Sequence, residues 1–210
     1  MYKTERLCLV IAVVAFFAGI LVSNCAHATN TDWVAGGFDD SFSTLDSPPE
    51  HITMCAALLT RLSGDKPSAS YVRSQEEKFL RRMYTCLKIA LYAQVLSADV
   101  PLVLAIGWHE SRFKMEIVSS ANAQGPLQVI PTYWCPNRRI KHCDLIEAGV
   151  RAVNKLVDKY GLTKMPCHYN SGYKCNKFSR RYARKVLATR ERLTHVVYWF
   201  AQWDEPLEEY

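Results

Sequence analysis

In the stretch "LAIGWHESRF", residues 104–113, a single glutamate, Glu110, closes a run that is otherwise almost entirely apolar. An amphipathic helix puts its acids on the wet face, yet Glu110 lies in line with Leu104, Ile106 and Phe113, which belong to the core. Burial penalises the charged form of a carboxyl, so a glutamate in such a setting keeps its proton towards neutral pH and becomes a general acid. The structural alternative is a buried glutamate satisfied by hydrogen bonds. His109 stands beside it, but neighbours on a helix point about 100° apart, so His109 reads as a rim residue and not as half of a catalytic dyad.

Further polar residues with chemical uses lie downstream: Gln128 in "AQGPLQVIP", Tyr169 and Asn170 in "HYNSG", and Tyr182 in "RRYARKV". Taken alone each has a structural reading, and Asn170 ahead of Ser171 and Gly172 is a natural turn former. The carboxylates nearest in sequence have other uses. Glu116 lies on an exposed pattern, and Asp144 and Glu147 open a helix.

The elements that must position these residues are helical. "HITMCAALLTRL" reads as a short helix ending at Gly64. Ser68 or Ser70 then caps a long helix whose apolar residues recur at Phe79, Leu80, Met83, Leu87, Leu91 and Val95. "SADVP" breaks that pattern and puts Pro101 in the first turn of the helix that carries Glu110, where its missing N–H costs nothing. Residues 119–137 are expected to be a loop, "DLIEAGVRAVNKLVDKYG" a helix closed by Gly161, and "CHYNSGYKC" a second loop leading into the helix of Tyr182 and Val186. No long strand-like alternation and no internal repeat occurs, so the fold class is all-α.

Composition supports one globular domain with extensions: 210 residues, 49% hydrophobic and 22% charged. Residues 1–28 differ from the rest, with Lys3 and Arg6 ahead of the apolar run Leu7 to Val22 and small residues at Ala26 and Ala28. That is the pattern of a secretory signal peptide, with retention as a membrane anchor as its alternative. Residues 29–50 carry five acids among Gly, Pro and Ser and read as an acidic linker. Beyond residue 28 six cysteines remain, Cys55, Cys86, Cys135, Cys143, Cys167 and Cys175, an even number that points to disulfides in an oxidising compartment, with 15 connectivities open. The two C-x7-C spacings are wider than zinc knuckles use, so no metal is expected. Residues 84–195 hold 18 Lys and Arg against 7 Asp and Glu. In an exported chain such a surface suits anionic envelope polymers and not nucleic acid, and "KFSRRYARKVLATRER" reads as the solvated face of a helix.

Five segments, "ADVPLVLAIGWHESRF", "AQGPLQVIP", "DLIEAGVRAVNKLVDKYG", "HYNSG" and "RRYARKV", occur in the order and spacing of the soluble-lytic-transglycosylase-like domain family, which the chain resembles over about residues 84–192. The resemblance implies an all-α, lysozyme-like fold that cleaves peptidoglycan without a cofactor. It makes Glu110 the catalytic acid/base and assigns substrate contacts to Ser111, Gln128, Tyr169, Asn170 and Tyr182. Pro126 and Leu127 depart from the family's G-L-M-Q, and His168 and Ser171 replace the alanines of A-Y-N-A-G. The domains expected are a signal peptide or anchor at 1–28, the linker at 29–50, a helical extension at 51–83, the catalytic domain at 84–195 and an aromatic, acidic tail at 196–210. Within that tail Tyr198, Trp199, Phe200, Trp203 and Tyr210 either stack on sugars or pack on the domain.

A lone carboxylate suits a lytic transglycosylase, since ordinary glycosidases need a second one. A muramidase of the same fold and a non-catalytic wall-binding assembly protein are the alternatives. The expected partner is the peptidoglycan glycan strand, in the periplasm or cell envelope. Members of this kind also serve envelope-spanning secretion, conjugation or phage assemblies. Because Cys167 and Cys175 bracket "HYNSGYK", they are expected to pair, as are Cys135 with Cys143 and Cys55 with Cys86.

Overall fold

A computed structural model describes residues 48–59, 69–138 and 140–203, all within one compact unit, Ser47–Tyr210. The expected signal peptide and most of the expected linker lie outside the described residues. The helices are α1 (Pro49–Leu59), α2 (Ala69–Val95), α3 (Val100–Glu110), α4 (Pro131–Trp134), α5 (Leu145–Tyr160), α6 (Met165–Ser171) and α7 (Lys177–Trp203), with a 3-10 turn at Pro136–Arg138 between α4 and α5. Among the described residues, extended pairing is limited to two isolated antiparallel bridges, Val118 with Gln124 and Gln124 with Val129. The class is all-α, as the sequence implies. No helix among the described residues is long and apolar enough to cross a membrane.

At the centre is α3. Its residues Leu102 to Trp108 are all buried, so it is not the amphipathic helix from which Glu110 stands out. A helix apolar all round must be enclosed, and α1, α2 and α7 pack around α3. Asp99 caps it, accepting from the Leu102 N–H at 2.9 Å, with Pro101 in its first turn. The other oxygen of the same aspartate, Oδ2, accepts from both Nε, at 2.9 Å, and Nη2 of Arg190 on α7. Glu110 is the last residue of α3, where the enclosed helix comes out.

Capping also fixes α5. The Asp144 side chain accepts from the N–H groups of Ile146 and Glu147, and Gly161, at φ 74°, closes the other end. Residues outside the left-handed region's usual glycines rarely adopt such an angle, which is why glycine stands there.

Several boundaries differ from the sequence expectation. The segment "CHYNSGYKC" is not a loop throughout, because α6 takes up Met165–Ser171, with Pro166 in its first turn and Gly172 as its cap. The expected loop 119–137 contains α4, begun by Pro131. Leu80 and Val95, counted with the apolar stripe of α2, are 39% and 74% exposed; an aliphatic side chain at helical spacing is free to lie at the edge of the stripe. The end of α1 expected at Gly64 lies outside the described residues. Both α2 and α7 run through the expected boundaries at 83/84 and 195/196. Tyr198 is exposed, while the side chains of Trp199, Phe200 and Trp203, and all of Tyr210, lie outside the described residues.

The cysteines pair as Cys55–Cys86, Cys135–Cys143 and Cys167–Cys175, with Cα–Cα distances of 5.9, 5.5 and 5.6 Å. These bonds join α1 to α2, close the chain around the turn after α4, and tie the first turn of α6 to the chain before α7.

Candidate active site

Directly after Glu110 the chain turns sharply: Ser111 caps α3, and Arg112 and Phe113 both have positive φ, 57° and 60°. Two successive non-glycine residues in the left-handed region hold strain that the surroundings must impose. Phe113, 1% exposed, supplies the restraint from the core. Its ring lies against Gly107, where an added Cβ would come within 3.0 Å of it. Arg112 lies over the Trp108 ring at 4.2 Å and donates to the Trp108 carbonyl at 3.0 Å. The turn therefore fixes where α3 stops and where the half-buried Glu110 carboxyl sits.

Burial raises the Glu110 carboxyl above the ordinary glutamate range, and a hydrogen-bonding interaction with Tyr182 opposes the rise. No other carboxylate among the described residues perturbs it. The Tyr182 hydroxyl is buried and makes no hydrogen bond of full geometry. The group acting on it most directly is the Glu110 carboxylate, which, after burial, pushes the phenol's own pKa well up. Tyr182 is thus a donor held beside the acid with no competing acceptor. Tyr169 also feels the Glu110 charge: burial first, then that charge, hold its hydroxyl well above the usual range.

The segment "GPLQ" is held by three helices. From the end of α3, Ser111 Oγ donates to the Pro126 carbonyl at 2.7 Å. From α6, Tyr169 Oη donates to the next carbonyl, Leu127, at 2.5 Å. From α5, Gly149 lets Leu127 approach so closely that an added Cβ would lie 2.5 Å from its Cδ1 and 2.7 Å from its Cβ. Gln128 follows with φ 50°, and its Nε2 donates to the carbonyls of Gly125 at 3.0 Å and Ile117 at 3.2 Å.

The structure links Glu110, Tyr169 and Tyr182 and gives the other expected residues contacts of their own. Glu110, Tyr169 and Tyr182 are coupled through the acid's charge. Ser111, 4% exposed, spends its hydroxyl on the loop. Asn170 is exposed on the last turn of α6. Leu127, at the methionine position of the family pattern, is fully buried and belongs to the core. His168, at an alanine position, stacks on Tyr160 with ring centroids 3.7 Å apart and planes 7° from parallel, which ties α6 to α5. Of the other carboxylates considered, Asp144 is engaged by its cap and by Tyr92 at 2.8 Å, and Glu147 by Arg151.

Two contributors were not singled out from the sequence. Gly149 had a signal, since a glycine inside a strongly periodic helix calls for a packing reason. The contact of His109 with Thr189 had none, because it joins residues 80 apart in the chain.

Residues 89–190 match the family described as the transglycosylase SLT domain. Over those residues the chain is similar to a lysozyme-like domain, and its described residues form an all-α frame. No match was found among curated proteins or among solved structures. An SLT domain implies peptidoglycan as substrate, through a function of the lytic-transglycosylase or lysozyme type. Three disulfides suit an oxidising, exported location.

Proposed function

We propose that the SLT domain of this chain is a peptidoglycan lytic transglycosylase with Glu110 as its acid and base. The observation that carries the reading is the lone carboxyl, raised by burial and answered by one phenol rather than by a second carboxylate. In the first step protonated Glu110 gives its proton to the glycosidic oxygen between N-acetylmuramic acid and N-acetylglucosamine. The C1–O bond breaks, and its electron pair leaves with the N-acetylglucosamine hydroxyl. In the second step the Glu110 carboxylate takes the proton of the muramyl C6 hydroxyl as that oxygen closes on C1. The proton is back on Glu110, a 1,6-anhydro ring has formed, and no water is consumed.

An acid that must also serve as a base works best with a pKa near the working pH. Burial raises that of Glu110, and Tyr182 keeps the rise in check by donating to the carboxylate form. Asn170, exposed beside Tyr169, and the free side of Gln128 are the residues offered to the sugar. Ser111 and the Tyr169 hydroxyl serve the substrate indirectly, through the wall they hold.

Mass spectrometry of products from purified sacculi tests the reading. Expected are 1,6-anhydromuropeptides, lighter by one water than muramidase products and resistant to borohydride. Reducible N-acetylmuramic acid ends as the main product would make the enzyme a muramidase, and retained sacculus binding with no soluble product would make it a wall-binding protein.

A further inference from the structure

We propose that His109 is a positioning residue for the acid: tied to Thr189, it holds the Tyr182 ring so that the phenol stays on the Glu110 carboxyl. The inference rests on Glu110 being the acid, and it assigns a task to a side chain that no substrate contact explains. His109 immediately precedes Glu110 on α3. Its Nε2 lies 2.9 Å from the Thr189 hydroxyl, and its ring meets the Tyr182 ring edge-on, with centroids 6.3 Å apart and planes at 72°. Tyr182 and Thr189 are two turns apart on α7 and share one face of that helix. The imidazole is therefore wedged against α7 with one end anchored.

Tyr182 needs such a wedge. Its hydroxyl interacts with Glu110 but makes no hydrogen bond of full geometry, so the oxygen alone fixes the ring poorly, and its direction is left to contacts along the ring edge and face. An edge-to-face contact is directional and disfavours rotation of either ring.

The wedge also has to stay uncharged. Burial, the nearby cations Arg112, Lys185 and Arg192, and a hydrogen bond with the Lys185 backbone that works in the opposite direction leave His109 at about 4. Around it stand Glu110 on its own helix, Arg112 just beyond that helix, and Tyr182, Lys185 and Arg192 on α7. A proton on His109 would add a fourth positive charge to three, so the imidazole is neutral wherever Glu110 has to work.

The experiment uses the full chain with its disulfides intact. The Glu110 carboxyl is titrated by carbon NMR in the parent, in Tyr182→Phe, in His109→Ala and in the double variant, alongside kcat and KM on peptidoglycan across pH. Tyr182→Phe should move the Glu110 titration upward by removing a donor to the carboxylate. His109→Ala should move it the same way, lower kcat roughly tenfold or more through lost alignment and leave KM nearly unchanged. Added to Tyr182→Phe it should shift the titration no further, because it acts through Tyr182. An unmoved titration in His109→Ala, or a full additional shift in the double variant, would overturn the proposal. Should His109→Ala fail to fold, Thr189→Val removes only the anchor and is expected to give the same upward direction; an unmoved titration there overturns the proposal equally. A parent without turnover on peptidoglycan would sink the transglycosylase reading alone, and the titrations would still decide the role of His109.

Discussion

Two opposed influences meet on one carboxyl: burial at the mouth of an enclosed helix pushes the proton affinity of Glu110 up, and the phenol of Tyr182 pulls it down. Glu110→Gln removes the transferable proton and keeps the shape. Turnover on peptidoglycan should fall by about a hundredfold or more, the usual worth of general acid catalysis, while sedimentation with sacculi is retained. The same substitution has a stability signature. A carboxyl whose folded pKa lies above its unfolded value contributes full stability below about pH 4.3, the ordinary glutamate value, and loses it as pH rises through the folded pKa. Glutamine carries no such loss. Glu110→Gln should therefore melt higher than the parent at neutral pH, with the difference shrinking towards pH 4. A melting-temperature difference that stayed constant from pH 4 to 8 would contradict a raised Glu110.

At the level of elements, the decisive unit is the "GPLQ" segment, held by hydroxyls from α3 and α6 and pressed into α5. Gly149→Ala would drive a Cβ into the stem of Leu127, at 2.7 Å from its own Cβ. A stem atom cannot swing aside as a side-chain tip can, so the loop has to move. Overpacking of this kind costs roughly 1–3 kcal/mol, read as a lower denaturation midpoint, and turnover should fall further than stability because the segment that Ser111 and Tyr169 hold moves. Ser111→Ala leaves the buried Pro126 carbonyl without its donor, at a cost of about 1–3 kcal/mol. Unlike Glu110→Gln, it should leave residual turnover with an unshifted pH optimum. Urea melts and pH profiles of the two variants check both expectations.

At the level of the whole molecule, disulfides fasten α1 to the body and guard the site's edge. Cys55–Cys86 spans 31 positions, and in the chain-entropy picture its closure stabilises the fold by roughly 3–4 kcal/mol. Cys167–Cys175 spans 8, for roughly 2–3 kcal/mol on the same account. The double change Cys55→Ser with Cys86→Ser should lower the melting temperature more than Cys167→Ser with Cys175→Ser. The second pair should have the larger effect on turnover in the folded state, because α6 carries Tyr169 and Asn170. Calorimetry beside turnover, measured below both melting points, separates the two; the reverse ranking would refute the division of roles.

The sequence by itself determined the helical class and the caps at Asp144 and Gly161, and it led to the expected cysteine pairs that the structure contains. Each is legible because it depends on local periodicity, on backbone chemistry at one residue, or on how cysteines bracket a short segment. Tertiary structure alone decided what each side chain does there. Ser111 is a neighbour of Glu110 in sequence, yet it bonds to a carbonyl 15 residues away. Tyr169 reaches a carbonyl 42 residues back, and His109 a hydroxyl 80 residues on. "CHYNSGYKC" carries loop residues, yet its first part winds into α6, where His168 stacks on Tyr160 and Tyr169 bonds to Leu127. Such roles come from packing between distant segments, which overrides local preference and leaves no periodic trace in the chain.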